Sequence, residues 1–540
     1  MKHIAFTMLL VLFFLVACQP APTPTPVPPS VTPTLMPTAT ATLMPTATAT
    51  LTPTPAATNT PTVTATPTLA PMPIAAGAPV VNVVVHPENP GRTIAPDFVG
   101  MSYEAIDLAS GVFDSKNATF LRLLQNLGPG TFRFGGNEVE YTYWSSTTRT
   151  TFPNAHATVI GSDLDNMFAF AGQANWRVIL GLNLGHYDPE GFADEAQYAA
   201  AKGGNTLLAF EIGNEPDIYV GSGTGLRPAS WGYNNYRTEF EAYVRAIRTR
   251  VPNAKIAGPA FSTLNPPAWG TDVNVDWYSR FLKDEAPQVV LATHHFYPMG
   301  NKPAQVPPGH ASYPTIDNML SVALMQSTLR GLDKSIQLTQ AQNLPLQLGE
   351  SNDVFGGGKP DVSDVFASAL WGVDYMFSTA EHGVRGVNFH TARKWGCDEG
   401  SYNPICTNGS TYAPMPLYYG MLLFANAGKG RVVPVEMNAS VNIVAHATLG
   451  DDGKLRVTLV NKTGTQAVAA QIKLGKPYAK ASALRLLAPA LDAKTGVTFG
   501  GRAVNADGTW VPGAAEPVVQ SGDGFIIAVP AGSAVVVIFE

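Results

Sequence analysis

The chain has 540 residues, enough for two or three domains and for a barrel-sized core. Only 14% of the residues are charged, and the formal net charge is -6. No basic run stands out, which argues against a nucleic-acid groove, so no nucleic-acid partner is expected.

At the start, Met1-Lys2-His3 precedes an apolar run from Ile4 to Val16, the pattern of a secretory signal. Leu15-Val16-Ala17-Cys18 resembles a bacterial lipobox, in which small residues precede a lipidated cysteine. Residues 1–18 are therefore read as a lipoprotein signal. Cys18 would then hold an exported protein at the cell surface or on the outer side of a membrane; an ordinary cleaved signal peptide is the alternative. Residues 19–75 are almost entirely Pro, Thr and Ala, and the octamer TLMPTATA occurs twice in succession from Thr34. No charged residue occurs between His3 and Pro87, and such a segment cannot bury a core. It is expected to be an extended stalk, which at about 3.1 Å per residue spans well over 100 Å. Cys397 and Cys406, nine positions apart in an exported chain, are expected to form a disulfide rather than a metal pair.

The β-branched run Val80 to Val85, within residues 76–95, is the first folded element. From Phe98 onward, short buried strands alternate with helix-length segments. Strands are predicted over 98–104, 131–134, 177–183, 207–213, 255–260, 289–297, 345–350 and 385–391. Helices are predicted over 120–127, 192–202, 239–250, 318–342 and 365–381. The fold class that follows is α/β, a (β/α)8 TIM barrel over residues 96–430. Beyond Gly430, strand-like runs at 441–449, 454–461, 467–474, 482–487 and 525–539 predict an appended antiparallel β-sandwich over 431–540. The early strand at 80–85 is expected to join it.

Strand four runs into Gly213-Asn214-Glu215-Pro216, where glycine and proline break the strand and leave Asn214 and Glu215 at its mouth. Glu350 ends strand seven in Leu348-Gly349-Glu350, followed by Gly356-Gly357-Gly358. In a closed eight-strand barrel these two strand ends face each other, at the rim where such barrels carry their chemistry. Two opposed carboxylates are the parts that glycoside hydrolysis requires, one protonated to release the leaving oxygen and one ionised to attack. Asn137, Asn183, His294, His295 and Tyr297 are further polar strand ends able to grip sugar hydroxyls. Glu104 and Glu211 are rival carboxylates ranked behind the pair. No metal is expected: adjacent His294 and His295 point to opposite faces of a strand, and no HExxH helix is present.

These motifs resemble the clan of retaining (β/α)8 glycosidases. The segment GESNDVFGGGKPDVSDVF from Gly349, with FRFGGN, HHFYPMG and YAPMPLYYGMLLF, is similar more particularly to glycoside hydrolase family 79, the β-glucuronidases and heparanases. The resemblance implies Glu215 as acid/base, Glu350 as nucleophile, and Asn214 as partner of the sugar 2-hydroxyl. It places Tyr297, or else Phe296, beside the nucleophile. It implies that Gly356, Gly357 and Tyr402 hold a glucuronate carboxylate. The polar strand ends Asn137 and His295 are expected as further substrate contacts, and no cofactor is expected. Phe355 departs from the family, which would carry a hydroxyl-bearing tyrosine there, so uronate specificity is open to a neutral or 4-O-substituted sugar. The expected partner is a carbohydrate, a glucuronide or a uronic-acid-containing glycan, bound by a monomer acting on chain ends. Other clan members, of arabinofuranosidase or β-glucosidase type, and a non-catalytic sugar-binding lipoprotein are the alternatives.

Overall fold

The computed structural model describes residues 69–540 except 221–224, 263–272, 301–305, 392, 398–399 and 410. The predicted signal, Cys18 and most of the predicted stalk lie outside the described residues. No described helix is long and apolar enough to cross a membrane.

Eight parallel strands close into a barrel: β1 (Val99–Glu104), β2 (Gly130–Gly135), β3 (Trp176–Leu182), β4 (Leu207–Ile212), β5 (Ile256–Phe261), β6 (Leu291–Phe296), β7 (Leu346–Ser351) and β8 (Gly386–Thr391). The ring closes where β8 pairs with β1. A helix follows each strand: α1 (Ala118–Leu127), α2 (Gly161–Ala174), α3 (Pro189–Gly203), α4 (Tyr233–Arg250), α5 (Val273–Glu285), α6 (Val322–Ala341), α7 (Phe366–His382) and α8 (Pro416–Ala427). α3 shows how the sequence starts such a helix. The Asp188 side chain accepts from the Gly191 N–H at 3.0 Å, and Pro189 opens the first turn.

Alternation along each strand sorts the side chains. Met101, Phe132, Phe134, Leu180 and Phe389 pack outward among the helices. Inward, Ile179, Ala209, Ala257 and Leu291 form an apolar layer. Farther along the barrel strands the inward positions become polar, with Ser102 and Glu104 on β1, Arg133 on β2, Glu211 on β4 and His295 on β6, all buried. β7 breaks the rule. Leu346 and Leu348 face the helices, so strict alternation would send Glu350 there too. The register against β6 slips between Leu348, opposite His294, and Glu350, opposite His295. This bulge turns Glu350 into the barrel.

The predicted sandwich is present. One sheet runs in the order Val435–Asn438, Val80–Val85, Val468–Leu474, Gly524–Val529, Val519–Ser521. The facing sheet is built on Ile443–Leu449, Leu455–Asn461, Ser533–Phe539 and Ala481–Leu487. Val81, Val83 and Val85 are buried in the core between the two sheets. The single run predicted at 525–539 is two strands, because Pro530-Ala531-Gly532 turns the chain. α2, α5 and α8 were not predicted, and α4 begins six residues earlier than expected. Residues before Ala75 already engage the sandwich, since Met72 N–H donates to Glu516 Oε1 at 2.7 Å.

Candidate active site

Glu215 and Glu350 meet across the barrel mouth. Each contributes an oxygen to a group, completed by His295, whose atoms all lie within 4.8 Å of one another. Both carboxylates are buried to within 9% exposure, so each is held in fixed surroundings rather than waving in solvent. Glu215 stands in a left-handed backbone conformation, φ 51°, and its N–H donates to Ala260 O at 2.9 Å. One hydrogen bond of 2.8 Å joins its Oε1 to His295 Nδ1.

Glu350 sits in a cationic cradle. Tyr297 Oη donates to Oε1 at 2.8 Å, and Arg133 Nη1 donates to Oε2 at 3.0 Å. His390 Nδ1 lies 3.7 Å and His295 Nδ1 4.0 Å from Oε2. Burial alone would push the Glu350 carboxyl up; the His390 and His295 rings, the Arg133 guanidinium and the Tyr297 hydroxyl outweigh it and hold it at about 2. His390, which burial would lower, is raised instead by Glu350 and Glu104.

Arg133 organises the mouth and is fully buried. Its Nε donates to Glu211 Oε2 at 2.7 Å, and its Nη2 donates to Asn214 Oδ1 at 2.9 Å. Glu211 also accepts from Thr293 Oγ1 at 2.6 Å, so this rival carboxylate is fully engaged beneath the pair. Asn214 is fixed from three sides, since its Nδ2 donates to Asn137 Oδ1 at 3.2 Å and its N–H donates to Glu140 Oε1 at 2.7 Å. Burial raises Glu140, and hydrogen bonds from Tyr219, Asn214, Gly185 and Leu184 oppose the rise. Glu104 accepts from the Glu138 N–H at 2.9 Å. Its carboxylate fills the space where Gly136, at φ 66°, would carry a Cβ.

Two expected sugar contacts fall elsewhere. His294 faces the helices, bonded to Ser335 Oγ at 3.0 Å and packed edge-on against Tyr278, because its strand position has the opposite parity to His295. Asn183 spends its amide on Glu140 O and Thr142 O and its carbonyl on the His186 N–H, which folds the loop after β3. Of the two candidates beside Glu350, Tyr297 makes the contact and Phe296 is core. Tyr402 is buried and lies parallel to Tyr297, with ring centroids 6.4 Å apart. Gly356, Gly357 and Gly358 all take positive φ, and Gly357 O accepts from the Tyr402 N–H at 3.2 Å. Phe355 packs edge-on against Tyr297 at 5.5 Å and offers no hydroxyl. Cys397 and Cys406 form the expected disulfide in the loop after β8.

Arg133, His390 and Glu140 escaped the sequence reading. The one available signal for Arg133 was a charged residue alternating with phenylalanines in FRFGGN, a buried strand that must supply it with buried partners. Glu215, His295 and Glu350 also form a set able to hold a cation. Any cation there would compete with the guanidinium already bonded to Glu350 Oε2.

A (β/α)8 barrel with paired glutamates at the ends of β4 and β7, joined to a β-sandwich, defines the class as glycosidase. The chain belongs to glycosyl hydrolase family 79: the family's N-terminal domain matches residues 125–376 and its C-terminal beta domain matches residues 445–536. A beta-glucuronidase of Aspergillus niger is 27% identical over 463 residues, covering 76% of this chain and 81% of that protein. Mouse heparanase is 23% identical over 428 residues, covering 67% and 74%. Among solved structures, a 4-O-alpha-L-rhamnosyl-beta-D-glucuronidase from Fusarium oxysporum superposes with a TM-score of 0.68 at 20% identity, covering 85% of this chain and 99% of that one. An arabinofuranosidase from Thermotoga maritima gives 0.60 at 14% identity, with the same coverage.

Proposed function

We propose that this glycosidase removes β-linked glucuronic acid from the end of a glycan or glycoside with retention of configuration. The observation that carries the reading is the approach of Glu215 and Glu350 to within 4.8 Å, with Glu350 held ionised by its cationic cradle. Retaining enzymes keep their carboxyl groups about 5–5.5 Å apart, whereas inverting ones leave room for a water. In the first step a Glu350 oxygen attacks the anomeric carbon as the glycosidic C–O bond breaks, and Glu215 gives its proton to the departing oxygen. In the second, Glu215 takes a proton from water, whose oxygen attacks the same carbon and frees Glu350. Asn214, oriented by Arg133, Asn137 and Glu140, would hold the hydroxyl beside the reacting carbon.

The glycine cluster and Tyr402 would border the substituent at the far side of the ring. Phe355 removes one hydroxyl from that border, which favours a substrate whose 4-position carries a further sugar as a second reading. The A. niger relative is called a beta-glucuronidase and the Fusarium neighbour acts on a 4-O-rhamnosyl glucuronide, so both readings keep the uronic acid. The sequence pattern around Cys18 supports export and lipid anchorage, and Cys18→Ser should move the protein into the soluble fraction.

The test is hydrolysis of 4-nitrophenyl β-D-glucuronide beside the corresponding glucoside, arabinofuranoside and 4-O-rhamnosyl glucuronide. Turnover of a glucuronide is expected to fall by on the order of 10⁴-fold or more in Glu350→Ala. Glu215→Ala should lose about 10²- to 10⁴-fold. Turnover of a neutral glycoside alone, or activity surviving in Glu350→Ala, would overturn the reading.

A further inference from the structure

One short segment of the β-sandwich caps a helix of the catalytic half. The N–H groups of Phe366 and Ala367, which open α7, donate to Ala493 O and Leu491 O, each at 2.8 Å. The sandwich backbone thereby completes the free end of a barrel helix. The next residue, Lys494, places its ammonium 3.1 Å from Asp364 Oδ2 and 2.9 Å from Asp361 Oδ1. Asp361 is exposed, but Asp364 is buried, and its two oxygens are committed to different partners. Oδ1 accepts from the Asp361 N–H at 2.8 Å, and Oδ2 accepts from the Gly400 N–H at 2.9 Å.

From Gly400 the contacts lead to the reacting centre. Gly400 O lies against Gly358 so closely that a Cβ there would collide with it and would stand 2.9 Å from Tyr402 N. Tyr402 N–H donates to Gly357 O at 3.2 Å, and Asn352, just past β7, donates its amide to Tyr402 O at 3.2 Å. The Tyr402 ring flanks Tyr297, whose hydroxyl donates to Glu350.

We propose that Lys494, a residue of the sandwich, is a positioning residue of the active site. By neutralising buried Asp364, it fixes the segment Gly400–Tyr402 against the glycine cluster and so shapes the sugar pocket. This rests on the reading of Glu350 as nucleophile and of the glycine cluster as the pocket wall. The ion pair is partly exposed on the lysine side, so its removal should cost the fold little, whereas an uncompensated Asp364 should loosen what it holds.

The experiment compares steady-state kinetics of the full chain, on the glucuronide it turns over best, for wild type, Lys494→Met, Lys494→Gln and Lys494→Arg. The control, Arg122→Gln, cuts another contact between barrel and sandwich, the exposed Arg122–Asp507 pair. Lys494→Met is expected to raise KM roughly three- to tenfold with kcat changed less than about twofold, and Lys494→Arg to restore most of the loss. Amide exchange across residues 356–358 and 400–402 should quicken in Lys494→Met and stay as wild type in Arg122→Gln. If Lys494→Met fails to fold, Lys494→Gln carries the same expectations. An unchanged KM with unchanged exchange would overturn the proposal while leaving the nucleophile reading intact. Equal KM shifts in the control would overturn it too, by reducing Lys494 to a general brace. Activity persisting in Glu350→Ala would instead remove the reading on which it rests, and exchange alone would then decide whether Lys494 orders the segment.

Discussion

At the barrel mouth, Arg133 serves Glu211, Glu350 and Asn214 at once. At the seam between α7 and the sandwich, Asp374 is served by Lys462 Nζ at 2.6 Å, His446 Nε2 at 3.3 Å and Ser378 Oγ at 2.9 Å. Both are buried ion clusters, and both shift the ionisation of their members strongly. The seam cluster ends on itself. Both oxygens of Asp374 are bonded, both nitrogens of His446 are bonded, with Nδ1 on Glu381 at 2.8 Å, and Phe377 stacks on the His446 ring at 5.0 Å. The mouth cluster stops short. His295 bonds Glu215 through Nδ1, while its buried Nε2 has no hydrogen-bond partner among the described residues. Perturbed ionisation therefore fails to separate a joint from a site; an incomplete cluster at a strand-end opening does.

The harshest test of this contrast is Arg133→Met, which strands the Glu211 and Glu350 carboxylates in a buried mouth. A loss of about 3–5 kcal/mol in unfolding free energy is expected by denaturant titration, with activity abolished. An unchanged midpoint would mean that the guanidinium does not hold the mouth together.

The seam answers to pH. His446, which burial would lower, is raised by Glu381 and Asp374 from 6.5 to about 10. Its charge therefore stabilises the fold fully below pH 6.5, and this contribution drains away as pH rises toward 10. His446→Gln should melt earlier than wild type by the equivalent of roughly 2–4 kcal/mol at pH 6. The gap should narrow steadily toward pH 10; a gap independent of pH would show that packing, not charge, joins the two domains.

The smallest effect belongs to Tyr297→Phe, which deletes one hydrogen bond to Glu350 and leaves its cations in place. A fall in kcat of roughly tenfold, with little change in melting temperature, is expected. A larger thermal than kinetic effect would assign Tyr297 to the fold instead of the site.

Much of this was readable from residues alone, for local reasons. Gly213 and Pro216 announce the end of β4 around Glu215, and the eight apolar runs announce the barrel. What could not be read depends on neighbours across the sheet. Glu350 enters the barrel because β7 slips against β6, and nothing in Leu348-Gly349-Glu350 states that register. His294 and His295 could be sent to opposite faces, but which one met Glu215 required the closed ring. Arg133 draws its partners from β4, β7 and the loop after β4, so its meaning is spread along the chain. α2 and α5 went unseen because their apolar faces are set by packing in the barrel, although Asp163 and Asp276 mark their first turns.

The strand Val80–Val85 lies between Val435–Asn438 and Val468–Leu474. Its parallel partner leaves the ribosome roughly 390 residues after it does, about 20 to 80 s at ordinary rates of translation. For most of that interval six residues rich in valine have no partner strand, and the whole barrel can be made while they wait. The last strand in the chain, Ser533–Phe539, closes the core that the first one opened. The molecule thus sets its own order of assembly, in which the first of the described strands is among the last to be buried.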